Sequence, residues 1–170
     1  MSRFTSLGVP ALALLPLLIG CSDSTGPVTS SLTAVAPAPN ATAVSTGTTV
    51  VLTFQHPMSP GMEQYMDLHT GGVTGPTVPM TCSWSPDSTI LTCTPANPLA
   101  PGTQYTMHVG AGMTDTEGHR MAMGDWTGRG GTWMTSGMMG GTHAGQPTGM
   151  MGAGWQHDGH YGMTFTFTTA

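Results

Sequence analysis

Thioether and imidazole side chains gather in one stretch of this chain. Met138-Met139, Met150-Met151 and Met163 offer soft sulfur donors, and His143, His157 and His160 add imidazole nitrogens close by. Such sulfurs suit Cu(I) or Ag(I), which prefer polarizable ligands to hard oxygens. His157-Asp158-Gly159-His160 is the densest group of donors. The stretch that carries most of them, Met121 to Gly162, holds 13 Gly, 7 Met and 3 His, with Trp126, Trp133 and Trp155 interspersed. Glycine at that frequency makes ordering costly, so a mobile loop without regular elements is expected unless a metal gathers it. No pair has the spacing of a zinc finger or a helical metalloprotease. The same Met side chains could instead serve as adaptable hydrophobes lying against the body of the protein or a partner surface.

A second chemistry belongs to sulfur of another kind. Cys82 and Cys93 flank Ser85-Pro86-Asp87-Ser88, a turn signal with Pro at its second position. If that turn closes a hairpin in which Trp84 faces Leu91, Cys82 falls directly opposite Cys93 on one face, and a disulfide is geometrically natural. Closing so short a loop adds about 3 kcal/mol at most. The alternative, a two-thiolate metal site, has the wrong spacing and no third ligand nearby.

Catalytic patterns are missing from the sequence. It contains no Gly-x-Ser-x-Gly elbow and no phosphate-cradling Gly loop followed by Lys, and its carboxylates are scattered over turns without an obvious facing pair. No enzyme activity is expected. Acidic residues outnumber basic ones by 8 to 3 and Lys is absent, which argues against a nucleic-acid partner held through phosphates.

The elements that must position these groups read as strands. Thr48 to Phe54 places Val50, Leu52 and Phe54 on one face, Gln104 to Val109 does so with Tyr105, Met107 and Val109, and Thr164 to Thr168 with Phe165 and Phe167. Val73 to Trp84 and Thr89 to Thr94 form the cysteine hairpin, and Leu32 to Val35 and Tyr65 to His69 complete seven candidate strands. Gly61 to Met66 has a four-residue Met spacing that fits one turn of helix packing inward. In Pro101-Gly102-Thr103-Gln104-Tyr105, a Pro-Gly turn precedes a strand-opening Tyr, the pattern of a tyrosine corner. An all-β antiparallel sandwich of Greek-key type is predicted, with the Gly/Met/His-rich stretch 121–162 inserted before the last strand.

At the N-terminus, Met1 to Gly20 has one positive charge at Arg3 and an apolar run from Leu7 to Ile19 broken by Pro10 and Pro16, which reads as an export signal. Leu18-Ile19-Gly20-Cys21 resembles a bacterial lipobox, which implies cleavage before Cys21 and a lipid on that residue. The alternative is an ordinary secretory signal with a coincidental Cys. Residues 21–36 are rich in Ser, Thr, Gly and Pro and are expected to be a flexible tether, leaving 37–170 as the domain. A chain anchored in the bacterial cell envelope follows, and Ser22 and Asp23 are compatible with sorting to the outer membrane.

Val50 to Met58, Thr94-Pro95, Pro98-Leu99, Pro101 to Tyr105, Asp115 to His119 and Phe165 to Thr169 together resemble a bacterial Ig-like domain of the SbsA type. That resemblance implies a structural or adhesive module; it does not identify a ligand, and an envelope protein or polysaccharide is the expected class of partner. Glu117-Gly118-His119 and the closing Phe strand are also similar to the CopC-type copper carriers. That similarity implies that Glu117 and His119 could bring one oxygen and one imidazole nitrogen to Cu(II), although those carriers use an N-terminal His where a lipidated Cys21 would stand here.

Overall fold

A computed structural model describes residues 30–134, 155, 157 and 159–170. Cys21, Met138, Met139, His143, Met150 and Met151 lie outside the described residues.

Among the described residues ten strands form two sheets: β1 (Ser30–Ala36), β2 (Ala41–Val44), β3 (Val50–Phe54), β4 (Met66–Thr70), β5 (Met80–Trp84), β6 (Ile90–Pro95), β7 (Gln104–Val109), β8 (Met121–Ala122), β9 (Thr132–Trp133) and β10 (Met163–Thr169). One sheet runs β5-β6-β3-β1-β8 and the other β2-β10-β7-β4, with β9 also paired to β10. Period-two alternation sets the core. Val50, Leu52 and Phe54 of β3 meet Tyr105, Met107 and Val109 of β7 and Met163, Phe165 and Phe167 of β10 in one buried cluster. A two-sheet β-sandwich results, as the alternation predicts.

The hairpin has the expected register. Cys82 pairs with Cys93 and Trp84 with Leu91, and the two sulfurs form a disulfide. The Ser85 to Ser88 turn closes through Ser88 N–H donating to the Ser85 carbonyl at 2.8 Å. The tyrosine corner is also present, with the Ala100 N–H donating to Tyr105 Oη at 2.8 Å. Met62–Tyr65 forms a short 3-10 helix, and Met58 and Met66 on either side of it are buried.

Three expectations need correction. The strand expected at Leu32 to Val35 is present as β1 but runs from Ser30 to Ala36, so the boundary between tether and domain at 37 is moved back: Ser30, Leu32 and Val35 are buried and Leu32, Val35 and Ala36 pair with Phe54, Leu52 and Val51. The strand expected from Val73 begins only at Met80. Pro76 and Pro79 lack the N–H a ladder needs, and the backbone of 71–79 pairs with β4 only at the isolated bridge from His69 to Thr77. The third concerns the insert. Its first part forms β8, a 3-10 helix at Gly124–Arg129 and β9, and Met121, Met123, Trp126, Met134 and Trp155 are all buried. Large apolar side chains spaced among the glycines gain more by joining the core than the backbone loses by ordering. Trp126 shows how. Its indole N–H donates to the Leu32 carbonyl at 2.6 Å, its ring stands edge-on to Phe165, and the Arg129 guanidinium covers it at 3.8 Å.

Candidate functional site

On β4, Met66 and Leu68 face the core, so Asp67 and His69 project from the outer face of the sheet. On β7, Tyr105, Met107 and Val109 face inward, so Thr106 and His108 project outward. Antiparallel register sets His108 opposite Asp67, with His69 diagonal to it. Three ligand-type groups from distant parts of the sequence thus share one patch.

An outer face should be wet, yet both His69 and His108 have 0% exposure. Two covers explain this. On one side, the turn after β4 places the Gly75 carbonyl 3.1 Å from His69 Nδ1. On the other, the end of the insert folds back: the Tyr161 carbonyl lies 3.0 Å from His108 Nε2, and the Trp155 ring lies over His108 with centroids 4.8 Å apart. Trp155 also meets Tyr65 edge-on at 5.5 Å. Close approach depends on Gly110, where an added Cβ would fall 2.8 Å from the Trp155 ring, and on Gly162, whose φ of 123° and position against the Val109 carbonyl leave no room for a side chain.

A carbonyl only accepts, so the ring nitrogen facing it must carry the proton. His69 is therefore protonated on Nδ1 and His108 on Nε2, which leaves lone pairs on His69 Nε2 and His108 Nδ1. Among the described residues neither of these buried atoms has a hydrogen-bond partner. Each orphaned group costs about 1–3 kcal/mol. Burial holds His108 down at about 4, against the opposing pull of the Tyr161 carbonyl, so the ring is neutral at neutral pH. Burial pushes the Asp67 carboxyl up, and His69 partly opposes it. One ring nitrogen from each His and one Asp67 oxygen lie within 4.8 Å of one another. Two imidazoles and a carboxylate at that separation can hold a single metal ion.

The residues singled out from sequence fare differently. Met163 is fully buried inside β10, packed in the core by the same alternation as Phe165, so its sulfur is not offered to a loop site. His157 and His160 face each other across an isolated bridge, and His160 stacks on Trp133 at 4.6 Å. Glu117 and His119 sit in a turn organised by Asp115. This buried carboxylate accepts from the backbone N–H groups of Glu117 and His119 at 3.0 and 2.8 Å and meets His119 Nδ1 at 3.1 Å. Gly118 closes the turn at φ 84°. Burial alone would raise the Asp115 carboxyl, but these hydrogen bonds outweigh it and hold it below the usual range. The structure thus brings His119 to Asp115 and leaves Glu117 at the rim, 3.7 Å away.

Asp67, His69 and His108 escaped the sequence reading. The available signal was an Asp-x-His step on a strand with apolar residues at the alternate positions, but only the pairing of Asp67 with the distant His108 completes the set.

A family model for the bacterial Ig-like domain matches residues 23–127. The chain belongs to that family. The match stops inside the insert, whereas the Ig-like sheet is completed by β10, which arrives after it. No curated protein matches this Ig-like chain. Among solved structures it is similar to the S-layer protein SbsC (19% identity, TM-score 0.42), with 56% of this chain and 12% of that one covered. It is similar also to CopC from Methylosinus trichosporium OB3b (22%, TM-score 0.41), with 54% of this chain and 83% of that one covered. L,D-transpeptidase 1 from Mycobacterium tuberculosis is similar at 20% identity and TM-score 0.38, over 46% of this chain and 35% of that one. The Ig-like chain therefore spans only about an eighth of the S-layer protein, its 12% share.

Proposed function

We propose that the chain is a non-catalytic Ig-like module of the bacterial cell envelope, exported, held by a lipid on Cys21, and engaging an envelope protein or polysaccharide. Family membership supports the module, the lipobox-like Leu18-Ile19-Gly20-Cys21 supports the anchor, and one structural observation supports a holding role. The described parts of the insert are built into the sandwich through the buried side chains of Trp126, Met134 and Trp155. Such a body suits holding or presenting rather than turnover. Fractionating cells that express the wild type and Cys21→Ser tests the anchoring: the wild type should sediment with membranes and the variant should not. Equal partition of both would remove the lipid from the reading. Crosslinking in intact cells from positions beside the insert should recover a discrete envelope adduct, and its absence would count against a partner there.

Capture of Cu(I) or Ag(I) by the insert is a second reading. It draws support from His157 and His160, which line a cavity of about 340 Å³ with Met121, Met123, Trp133 and Arg120. Competition with a Cu(I) chelator should show weaker binding in a His157→Ala/His160→Ala variant, and unchanged binding would end this reading.

A further inference from the structure

We infer that Asp67, His69 and His108 form a buried site for one divalent late transition ion, Cu(II) or Zn(II), on the outer face of the β4–β7 pair. This site lies apart from the insert's own donors and from the Glu117–His119 turn, and it does not depend on the structural reading above. Three independent features of the geometry converge on it.

The first is ligand type and convergence. Two imidazole nitrogens and one carboxylate oxygen come within 4.8 Å of one another, a donor set that Cu(II) and Zn(II) both accept. Ligands at bonds of about 2.0–2.1 Å around a tetrahedral ion stand roughly 3.4 Å apart. Loading therefore has to draw the three groups inward by about an ångström, a movement that side-chain torsions supply without moving the strands.

Orientation is the second. A metal-bound His ordinarily donates its other N–H to a carbonyl or carboxylate, which fixes the tautomer and aims the free lone pair. Both rings already do this, His69 to Gly75 and His108 to Tyr161. What remains on each ring is the one nitrogen able to bind a metal.

The third is that those nitrogens lack a bond. His69 Nε2 and His108 Nδ1 are buried and unpartnered among the described residues. A structural histidine on a sheet face would point such an atom to water, and here Trp155 and the turn after β4 exclude it. With Asp67 as third ligand, a water or a further side chain completes four-coordination. Because Tyr161 and Trp155 belong to the returning end of the insert, an ion here would fasten that end to the sheet.

The test uses the full chain, exported and purified metal-free, with Co(II) as the coloured probe. Wild type should take up one equivalent of Co(II) with the visible absorption of a low-coordinate nitrogen–oxygen site, displaced by one equivalent of Zn(II). His108→Gln and Asp67→Asn should each lose that spectrum or weaken binding at least tenfold, whereas His157→Ala/His160→Ala should keep it. Loss in the His157/His160 variant with retention in His108→Gln would overturn the assignment, as would no such spectrum in the wild type. To be independent of any variant's folding, ¹⁵N-histidine spectra of the unmutated chain should show two ring nitrogens moving from lone-pair to metal-bound positions when Zn(II) is added. No movement of those two resonances would equally overturn it.

Discussion

Single side chains decide several of the turns and contacts that hold this molecule in shape. Asp115 is one: its carboxylate ties the turn from Thr116 to His119 through three hydrogen bonds. Its folded value lies below its ordinary one, so the stabilisation is complete above about pH 3.9 and is lost as the pH falls through the folded value. Thermal melts across the acid range should show the wild type losing stability there, and Asp115→Asn, which keeps the acceptors for the two backbone N–H groups, should show a flatter acid limb. Gly110 is the other. In Gly110→Ala the new Cβ would meet the Trp155 ring at 2.8 Å and Tyr65 Cβ at 3.1 Å. Overpacking of this kind costs about 1–3 kcal/mol. Trp emission should shift to the red as Trp155 leaves its pocket, and a denaturant midpoint should fall with it.

At the scale of elements, the Cys82–Cys93 bridge ties the outer strand β5 to β6, which in turn pairs with β3. A Cys82→Ala/Cys93→Ala variant should lose about 3 kcal/mol in chemical denaturation, the order of magnitude for freeing so short a loop. This hairpin was legible in the sequence because the turn at Ser85 to Ser88 fixes the register and leaves the cysteines one possible pairing. β3, β7 and β10 were legible for a related reason, since strict alternation of Val50, Leu52 and Phe54, or of Phe165 and Phe167, has one reading on a half-buried sheet. Tyr105 was legible from its preceding Pro-Gly turn. β8 and β9 were not, because two-residue pairings have no periodicity to detect. The cluster of Asp67, His69 and His108 was hidden differently. Polar residues at alternate strand positions normally signal a wet face, and the two histidines are dry here because the turn after β4 covers His69 and a glycine-rich segment, whose composition argues for looseness, returns across His108.

For the molecule as a whole, the consequence is that the interruption between β7 and β10 is structural material as well as an insertion. Trp126 sits between β1 and β10, joined to one by a hydrogen bond and to the other by ring contact. Trp126→Ala should therefore destabilise the entire sandwich, by about 3–5 kcal/mol as for other buried aromatics, in a single cooperative transition. A substitution in a free loop would leave the melting temperature unchanged. The central claim is that the far end of the insert also closes onto the sandwich, covering the outer face of β4 and β7. Proton NMR of the full chain measures this directly through nuclear Overhauser contacts from the Trp155 indole. Cross-peaks to the rings of His108 and Tyr65 are predicted, and a Trp155 indole with solvent-like shifts and no contact to either ring would contradict the account.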